Sequence, residues 1–172
     1  MRKQYLGLIV VLVLVLVVVL SFILYNQWPF LTGKKIVLAI QPIDPFDLFR
    51  GQYITINYEI SRINDVEGFK EGDSVFISLK EDELGIWRKE SVSKWKPDKG
   101  DFIKGEVTSV YGNTLRVEYG IEQFFFERHA ELPTINITVE AVVANSGRAK
   151  LVQLLHNSEP IKIEYEEFDI KS

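Results

Sequence analysis

The stretch INITVEAVVANSGRAKLVQLL, residues 135–155, carries the clearest strand pattern in the chain. Apolar and polar residues alternate along its first half, and this period of two is typical of a strand with one buried and one solvated face. The Asn-Ser-Gly segment at residues 145–147 interrupts the pattern with turn-forming residues. A three-residue loop there, with Gly147 in the left-handed backbone region, predicts a hairpin that keeps its apolar residues on one face. The predicted partners are Val143 with Ala149, Ala141 with Leu151, and Ile137 with Leu155.

The same alternation recurs in three other segments, and we expect the apolar positions of all four segments to face a common core. Parallel sheets need crossover helices and strands buried on both faces, so the predicted sheet is mostly antiparallel. The only segment that fits a short helix is residues 121–132. The apolar positions are Val75, Ile77 and Leu79; Leu115, Val117 and Tyr119; Ile135, Ile137, Val139, Ala141 and Val143; and Ile161, Ile163 and Tyr165.

The predicted fold class is therefore mainly β, with at most one short helix after the N-terminal segment. About eight short strands in roughly 140 residues leave a small antiparallel barrel or a sandwich as the options, and we favour the barrel. The acidic stretch at residues 159–169 is predicted to be an edge strand with a charged outer face. Residues 88–99, which follow Trp87 and include Trp95, are predicted to be a solvated lysine-rich loop, with contact to lipid headgroups or an acidic partner as the alternative.

The turn near Gly112 can be closed in two ways. A two-residue loop of Gly112 and Asn113 places Val107 opposite Glu118, which mixes the two faces of the hairpin. A three-residue loop that also includes Thr114 keeps the faces separate. We predict the longer loop, which pairs Tyr111 with Leu115 and Val107 with Tyr119.

Residues 5–25 carry no charge. About 20 apolar residues at a rise of 1.5 Å cross a hydrocarbon layer of roughly 30 Å, so this run predicts a transmembrane helix. We predict a cytoplasmic tip and anchor at residues 1–25, a juxtamembrane linker at residues 26–33, and an extracytoplasmic β domain at residues 34–172. The alternative is a signal peptide cleaved near Ser21, but its apolar core would be too long.

The orientation follows from the bases that flank the apolar run. Arg2 and Lys3 abut its N-terminal end, whereas the first bases beyond its other end are Lys34 and Lys35. Because bases close to a span favour the cytoplasm, we expect a single-pass protein of the cell membrane with its C-terminal domain outside.

Composition excludes several classes of function. Removing residues 1–25 takes away two bases and no acid, which leaves a formal charge of −6 on the rest. Such a domain repels phosphate backbones, so no nucleic-acid partner is expected. The chain has no cysteine, which excludes disulfides, thiolate nucleophiles and cysteine-ligated metals.

Catalytic and metal-binding residues are not indicated. His129 and His156 lie far apart with no histidine or cysteine nearby. The serine and lysine pairs, Ser78 with Lys80 and Ser93 with Lys94, occupy solvated positions, whereas a lysine base needs burial. We therefore predict no catalytic residue, metal or cofactor, and the sequence favours a non-enzymatic role.

The segment IQPIDPFDLFRGQYITINYEI, residues 40–60, resembles the membrane-anchored GDYXXLXY family, which is named for residues at these spacings. The lead-in DPFDLFRG and the later block YGIEQFFFE, residues 119–127, are also similar to that family. The resemblance implies one N-terminal span and an outer domain, often encoded near multi-span membrane proteins, and it implies no reaction. Gly51, Tyr53 and Tyr58 match the motif, Ile56 replaces its leucine, and Gln52 replaces its aspartate.

The motif segment also has two faces. Ile54, Ile56, Tyr58 and Ile60 share one face, which we assign to the core, while Tyr53 lies on the polar face. Tyr53 is therefore the best candidate for contact with a partner or ligand, although it is also placed to pack under residues 44–50. Asp44, Asp47 and Arg50 recur at three-residue spacing, which fits a salt-bridged brace better than a metal site. The candidate binding residues are Tyr53, Gln52, Arg50, Asp44 and Asp47, and the structural motif residues are Gly51, Ile56 and Tyr58.

The function expected from these observations is that of a membrane-anchored interaction or accessory module that serves a neighbouring membrane protein complex. Its expected partners are membrane lipid, through the anchor, and a multi-span membrane protein. The alternative is a small-ligand-binding or envelope-acting domain with weak hydrolytic potential. No feature of the sequence indicates an oligomeric state.

Overall fold

The computed structural model describes residues 2–41, 53–125, 133 and 135–161, and the structural statements that follow refer to these residues. Helix α1 spans Arg2–Leu31. Its segment Gly7–Trp28 is long and apolar enough to cross a membrane, and none of it is buried against the rest of the chain. The predicted linker at residues 26–33 is helical through Leu31, and only Thr32 and Gly33 separate the helix from the first strand.

The described part of the chain beyond α1 is mainly β, as predicted. It contains eleven strands and one 3-10 turn, which covers Glu59–Ser61. The strands are β1 (Lys34–Ala39), β2 (Tyr53–Thr55), β3 (Arg62–Ile63), β4 (Ser74–Glu81), β5 (Trp87–Ser93), β6 (Asp101–Tyr111), β7 (Thr114–Glu118), β8 (Gln123–Phe125), β9 (Ile137–Val143), β10 (Ala149–His156) and β11 (Glu159–Pro160).

Nine strands form one sheet in the order β11-β10-β9-β1-β5-β4-β6-β7-β3, and β2 pairs with β8 in a separate ribbon. All pairs are antiparallel except β1 with β5, which are parallel where Leu38 lies opposite Trp87. The sheet is open, with β11 and β3 at its edges, so the barrel that the sequence favoured is wrong. The sheet need not close into a barrel to bury its apolar face. Ile54 of β2 and the residues that follow it belong to the same core.

The alternating segments place their apolar residues in one core, as predicted. Ile135 is the exception, since its side chain is 69% exposed. Ile161 is half-buried against the core, whereas Ile163 and Tyr165 lie outside the described residues. Strand residues of the core include Ile36, Leu38, Val75, Ile77, Leu79, Ile103, Val107, Leu115, Val117, Val139, Ala141 and Val143.

The hairpin of β9 and β10 confirms the predicted three-residue loop. Gly147 has a φ of +84°, and the predicted pairs of Ala149 and Leu151 are formed. A bulge between Leu151 and Gln153 then shifts the register, so that Ile137 pairs with His156 and not with Leu155. The loop prediction was local and correct, but the bulge moved the far end of the hairpin by one residue.

The hairpin of β6 and β7 has the shorter of the two loops considered for the turn near Gly112. Tyr111 pairs with Thr114 across a two-residue loop, so the predicted three-residue loop is wrong. The register shifts between Val107 and Ser109, and Val107 therefore meets Val117 and not Glu118. The extra residue that keeps the two faces apart is absorbed by a bulge inside the strand and not by the turn.

Three other segments, for which the sequence predicted a helix, a loop and an edge strand, are partly described. Of the predicted helix at 121–132 the structure describes residues 121–125, which are not helical and include strand β8 at residues 123–125. The predicted loop at residues 88–99 is strand through Ser93, and Trp87 is buried. The start of the acidic stretch forms edge strand β11 as predicted, and the rest of it lies outside the described residues.

Because every core residue lies beyond Lys34, we predict that a shortened chain beginning at Thr32 folds without detergent. Removal of α1 breaks contacts at the surface of the domain, such as the hydrogen bond between Lys150 and Gln27. Circular dichroism and chemical unfolding of the shortened chain should match those of the full chain in detergent micelles. Aggregation, with a β-type spectrum recovered only on addition of detergent, would show that the core depends on the helix.

Candidate functional site

The structure describes only part of the predicted binding segment. Residues 42–52 lie outside the described residues, and with them Asp44, Asp47, Arg50, Gly51 and Gln52. Tyr53 is described for its backbone, which pairs with Phe125 at the start of β2. The remaining motif residues, Ile56 and Tyr58, are fully buried, as expected from the assignment of their face to the core.

The two sequence blocks that carry the family resemblance lie side by side in the structure. Strand β2, from the first block, pairs with β8, from the second, with Ile54 opposite Phe124. The pairing continues beyond β2, where the backbone N–H of Ile56 donates to the carbonyl of Glu122 at 2.6 Å. These segments are over 60 residues apart in the chain, so the contact between the two blocks is formed only in the folded protein.

Two tyrosines join these blocks reciprocally. The Tyr58 hydroxyl donates to the carbonyl of Ile121 at 2.6 Å, and the Tyr119 hydroxyl donates to the carbonyl of Ile60 at 2.6 Å. The rings meet edge to face, with centroids 6.3 Å apart and planes at 81°. Burial, with a smaller contribution from the charge of Glu122, raises the pKa of both hydroxyls far above the ordinary tyrosine value. Both therefore stay protonated and remain donors.

A groove of about 180 Å³ opens beside Tyr58. Its floor includes the buried Tyr58 and Leu115, and two arginines, Arg62 and Arg116, contribute to its walls. These arginines lie directly opposite each other on β3 and β7, at the edge of the sheet. The complete lining is Gln41, Asn57, Tyr58, Ser61, Arg62, Tyr111, Thr114, Leu115 and Arg116.

A second cavity, of about 300 Å³, separates the end of α1 from the hairpin of β9 and β10. The Lys150 ammonium is 3.2 Å from the side-chain oxygen of Gln27. The charged groups of Arg148 and Lys150 each lie 5.8 Å from the ring centroid of Phe30. Ile121 also lines this cavity, so the helix end, the basic hairpin and the second motif block meet here.

Within the described ranges, no group of three or more histidine, cysteine or acidic residues is placed to hold a metal ion. Lys80 and Lys94, the lysines of the two serine and lysine pairs, are both exposed. Lys94 is also bound to Asp73 at 3.2 Å. Neither lysine has the desolvated environment that a neutral lysine base requires.

The architecture defines a class of protein: a β domain built on one mixed sheet, with a single apolar helix before it. The chain belongs to the GDYXXLXY protein family, whose match extends over residues 15–154. This range contains part of the helix, both motif blocks and the strands of the sheet through most of β10. The comparisons with curated proteins and with solved structures found no match.

Sequence reasoning missed the groove lined by Arg62 and Arg116, the arginine groove. Arg116 was visible only as a polar position in an alternating strand, and Arg62 carried no signal. Their meeting depends on β3 pairing with β7, which no local pattern indicates. Tyr119 was assigned to the core, but its hydrogen bond to Ile60 became apparent only from the fold.

The reciprocal pair predicts that Tyr58→Phe and Tyr119→Phe each destabilise the protein by about 1–2 kcal/mol, because each removes a buried hydrogen bond without leaving a large cavity. Chemical unfolding measures this loss. Tyr111→Phe is the matched control, since Tyr111 is 75% exposed, and it should change stability by less than about 0.5 kcal/mol. Equal stability of all three variants would mean that the two bonds do not hold the blocks together.

Proposed function

We propose that the chain is a single-pass membrane protein whose β domain lies outside the cytoplasm. In this proposal α1 is an uncleaved anchor, and the domain is an interaction or accessory module of a neighbouring membrane protein complex. The observation that carries the proposal is the exposure of the helix. A 22-residue apolar segment with a mean hydropathy of 3.5 has none of its residues buried against the domain, and lipid is the environment that suits such a surface.

The junction between helix and domain supports an anchor better than a cleaved signal peptide. The helix continues without interruption through the possible cleavage site near Ser21 and ends only at Leu31. Cleavage there would leave Phe22, Ile23 and Leu24 on an exposed helical stub in water. With the helix intact, the same side chains lie within the apolar span.

The basic hairpin next to the helix end suits a lipid headgroup layer. Phe30 lies two residues beyond the apolar span, a rise of about 3 Å, so Arg148 and Lys150 are close to the depth of the headgroups. Their charged groups are available to lipid phosphates. By contrast, Lys34 and Lys35 are bound to Asp101 and Glu140, each at 2.8 Å.

An interaction role is favoured over catalysis by the kind of surface that the domain presents. The described residues offer a groove lined by two arginines and a basic hairpin, both of which bind through charge and hydrogen bonds. They offer no buried lysine beside a serine and no metal-binding group. A domain with a groove lined by arginines and a basic hairpin is suited to binding a partner or ligand beside the membrane.

The topology is tested with single cysteines, because the chain contains none of its own. Glu83→Cys, in the exposed turn between β4 and β5, should react with a membrane-impermeant maleimide in sealed cells. Gln4→Cys, which keeps Arg2 and Lys3, should react only after lysis and should remain on the full-length protein. Labelling of Gln4→Cys alone in sealed cells would reverse the orientation, and loss of the N-terminus would identify a cleaved signal peptide.

The interaction role is tested through Tyr53, the candidate contact residue on the polar face of the motif. After crosslinking in membranes, the tagged full chain should enrich a specific membrane protein, and Tyr53→Ala should lower its recovery by about tenfold. The melting temperature should stay nearly unchanged. Trp95→Ala, which removes an exposed aromatic side chain far from the motif in sequence, is the matched control and should retain the partner.

A different result would favour other roles. If Tyr53→Ala lowers the melting temperature as much as Tyr58→Ala does, Tyr53 seats the adjoining segment and does not bind a partner. If no protein is enriched but a small molecule raises the melting temperature, the ligand-binding alternative replaces the accessory role.

A further inference from the structure

The arginine groove contains two positive charges that the described part of the chain does not neutralise. Arg62 and Arg116 are exposed and directly opposite each other on β3 and β7. Their neighbours Ile63 and Leu115 form the next pair and are fully buried, so both arginines project from the other face of the sheet. Opposing side chains on paired strands have Cβ atoms about 5 Å apart, and like charges in such a pair repel.

Other basic residues of the domain, unlike Arg62 and Arg116, form ion pairs with described acidic side chains. Arg88 binds both Asp82 and Glu59, at 2.8 and 2.5 Å, and Lys34 binds Asp101 at 2.8 Å. Among the described residues no ion pair includes Arg62 or Arg116, although acids outnumber bases in the chain. Two arginines with ten N–H donors between them thus line one groove, and no described acid pairs with either of them.

Polar groups near the arginines complete the recognition chemistry. The Ser61 hydroxyl is buried and makes no hydrogen bond, and Ser61 lines the groove. A buried donor without a protein partner is uncommon and calls for a partner from elsewhere. Asn57 and Gln41 line the same groove and are exposed, so their amides are accessible to a ligand.

We propose that this groove binds a small oxyanion, the phosphate or carboxylate group of a water-soluble molecule, between Arg62 and Arg116. Each guanidinium can donate two parallel N–H bonds to such a group, and the bound charge relieves the repulsion within the arginine pair. The groove volume of about 180 Å³ admits the charged group and a few further atoms.

The position of the groove indicates a soluble ligand and not a lipid headgroup. Gln41 lies just beyond the end of β1, and Lys34, at its start, follows the helix end. At about 3.3 Å per residue, the groove is roughly 20 Å along the strand from the helix end. The choice of a soluble ligand over a lipid rests on the proposed membrane anchor, whereas the binding of an oxyanion rests only on the geometry of the β domain.

The test uses the full chain in maltoside micelles, with inorganic phosphate and acetate as probes and chloride at matched ionic strength as the reference. At least one of the two oxyanions should raise the melting temperature above that in chloride. Titration should give an affinity that Arg62→Gln and Arg116→Gln each weaken by about tenfold or more. Lys89→Gln removes an exposed charge outside the groove and should leave the affinity unchanged.

Three outcomes would overturn the inference. Equal stabilisation by chloride, or equal weakening in Lys89→Gln, would reduce the effect to general screening of charge. Binding that appears only in the double variant Asp44→Asn and Asp47→Asn would show that the chain's own carboxylates neutralise the arginines. A dependence on vesicles containing anionic lipid, without binding of either free probe, would assign the groove to lipid.

Discussion

The hydrogen bonds of two buried tyrosine hydroxyls hold the covering segments of this protein onto its sheet. An open sheet with one apolar face is stable only when something covers that face. Here the cover comes from the residues around Ile56 and the residues around Ile121, which arrive from distant parts of the chain. The hydroxyls of Tyr58 and Tyr119 each bond a carbonyl of the opposite segment, so neither segment can leave the sheet without breaking both bonds.

This arrangement gives the two tyrosines of the family motif different tasks. Tyr58 is fully buried, bonds across to the second block and forms part of the groove floor. Tyr53 begins the ribbon that carries the motif, and its neighbour Ile54 enters the core. The motif therefore contains one residue that packs in the core, Tyr58, and one whose backbone starts the pairing of β2 with β8, Tyr53.

The sequence was informative wherever one local pattern determined the outcome. Alternation assigned Val117 and Val139 to the buried face, and the Asn-Ser-Gly turn gave the correct loop, because burial and turn chemistry act over a few residues. Bulges were not predictable in this way. Near Gly112, a longer loop and a bulge at Thr108 would both keep the two faces of the hairpin apart. Only the energy of the whole hairpin decides which of them forms.

The features that depend on long-range pairing could not be read from the sequence at all. The placement of β1 between β9 and β5 joins two groups of strands into one open sheet, and the pairing of β3 with β7 creates the arginine groove. Each of these contacts costs the closure of a long loop, which no window of neighbouring residues reports. Candidate residues were thus found where the motif is contiguous, as for Tyr58, and missed where the site is assembled across strands, as for Arg62.

The two cavities of the domain share a structural element, although they open at different places. Tyr58 lines the arginine groove, and the carbonyl that accepts its hydroxyl belongs to Ile121, which lines the cavity at the end of α1. A buried tyrosine cannot shift without moving or breaking that bond, because burial leaves no water to replace the carbonyl. A buried hydrogen bond therefore links a residue of the arginine groove to a residue of the cavity at the end of α1. The residue that provides this link, Tyr58, is one that the family motif specifies.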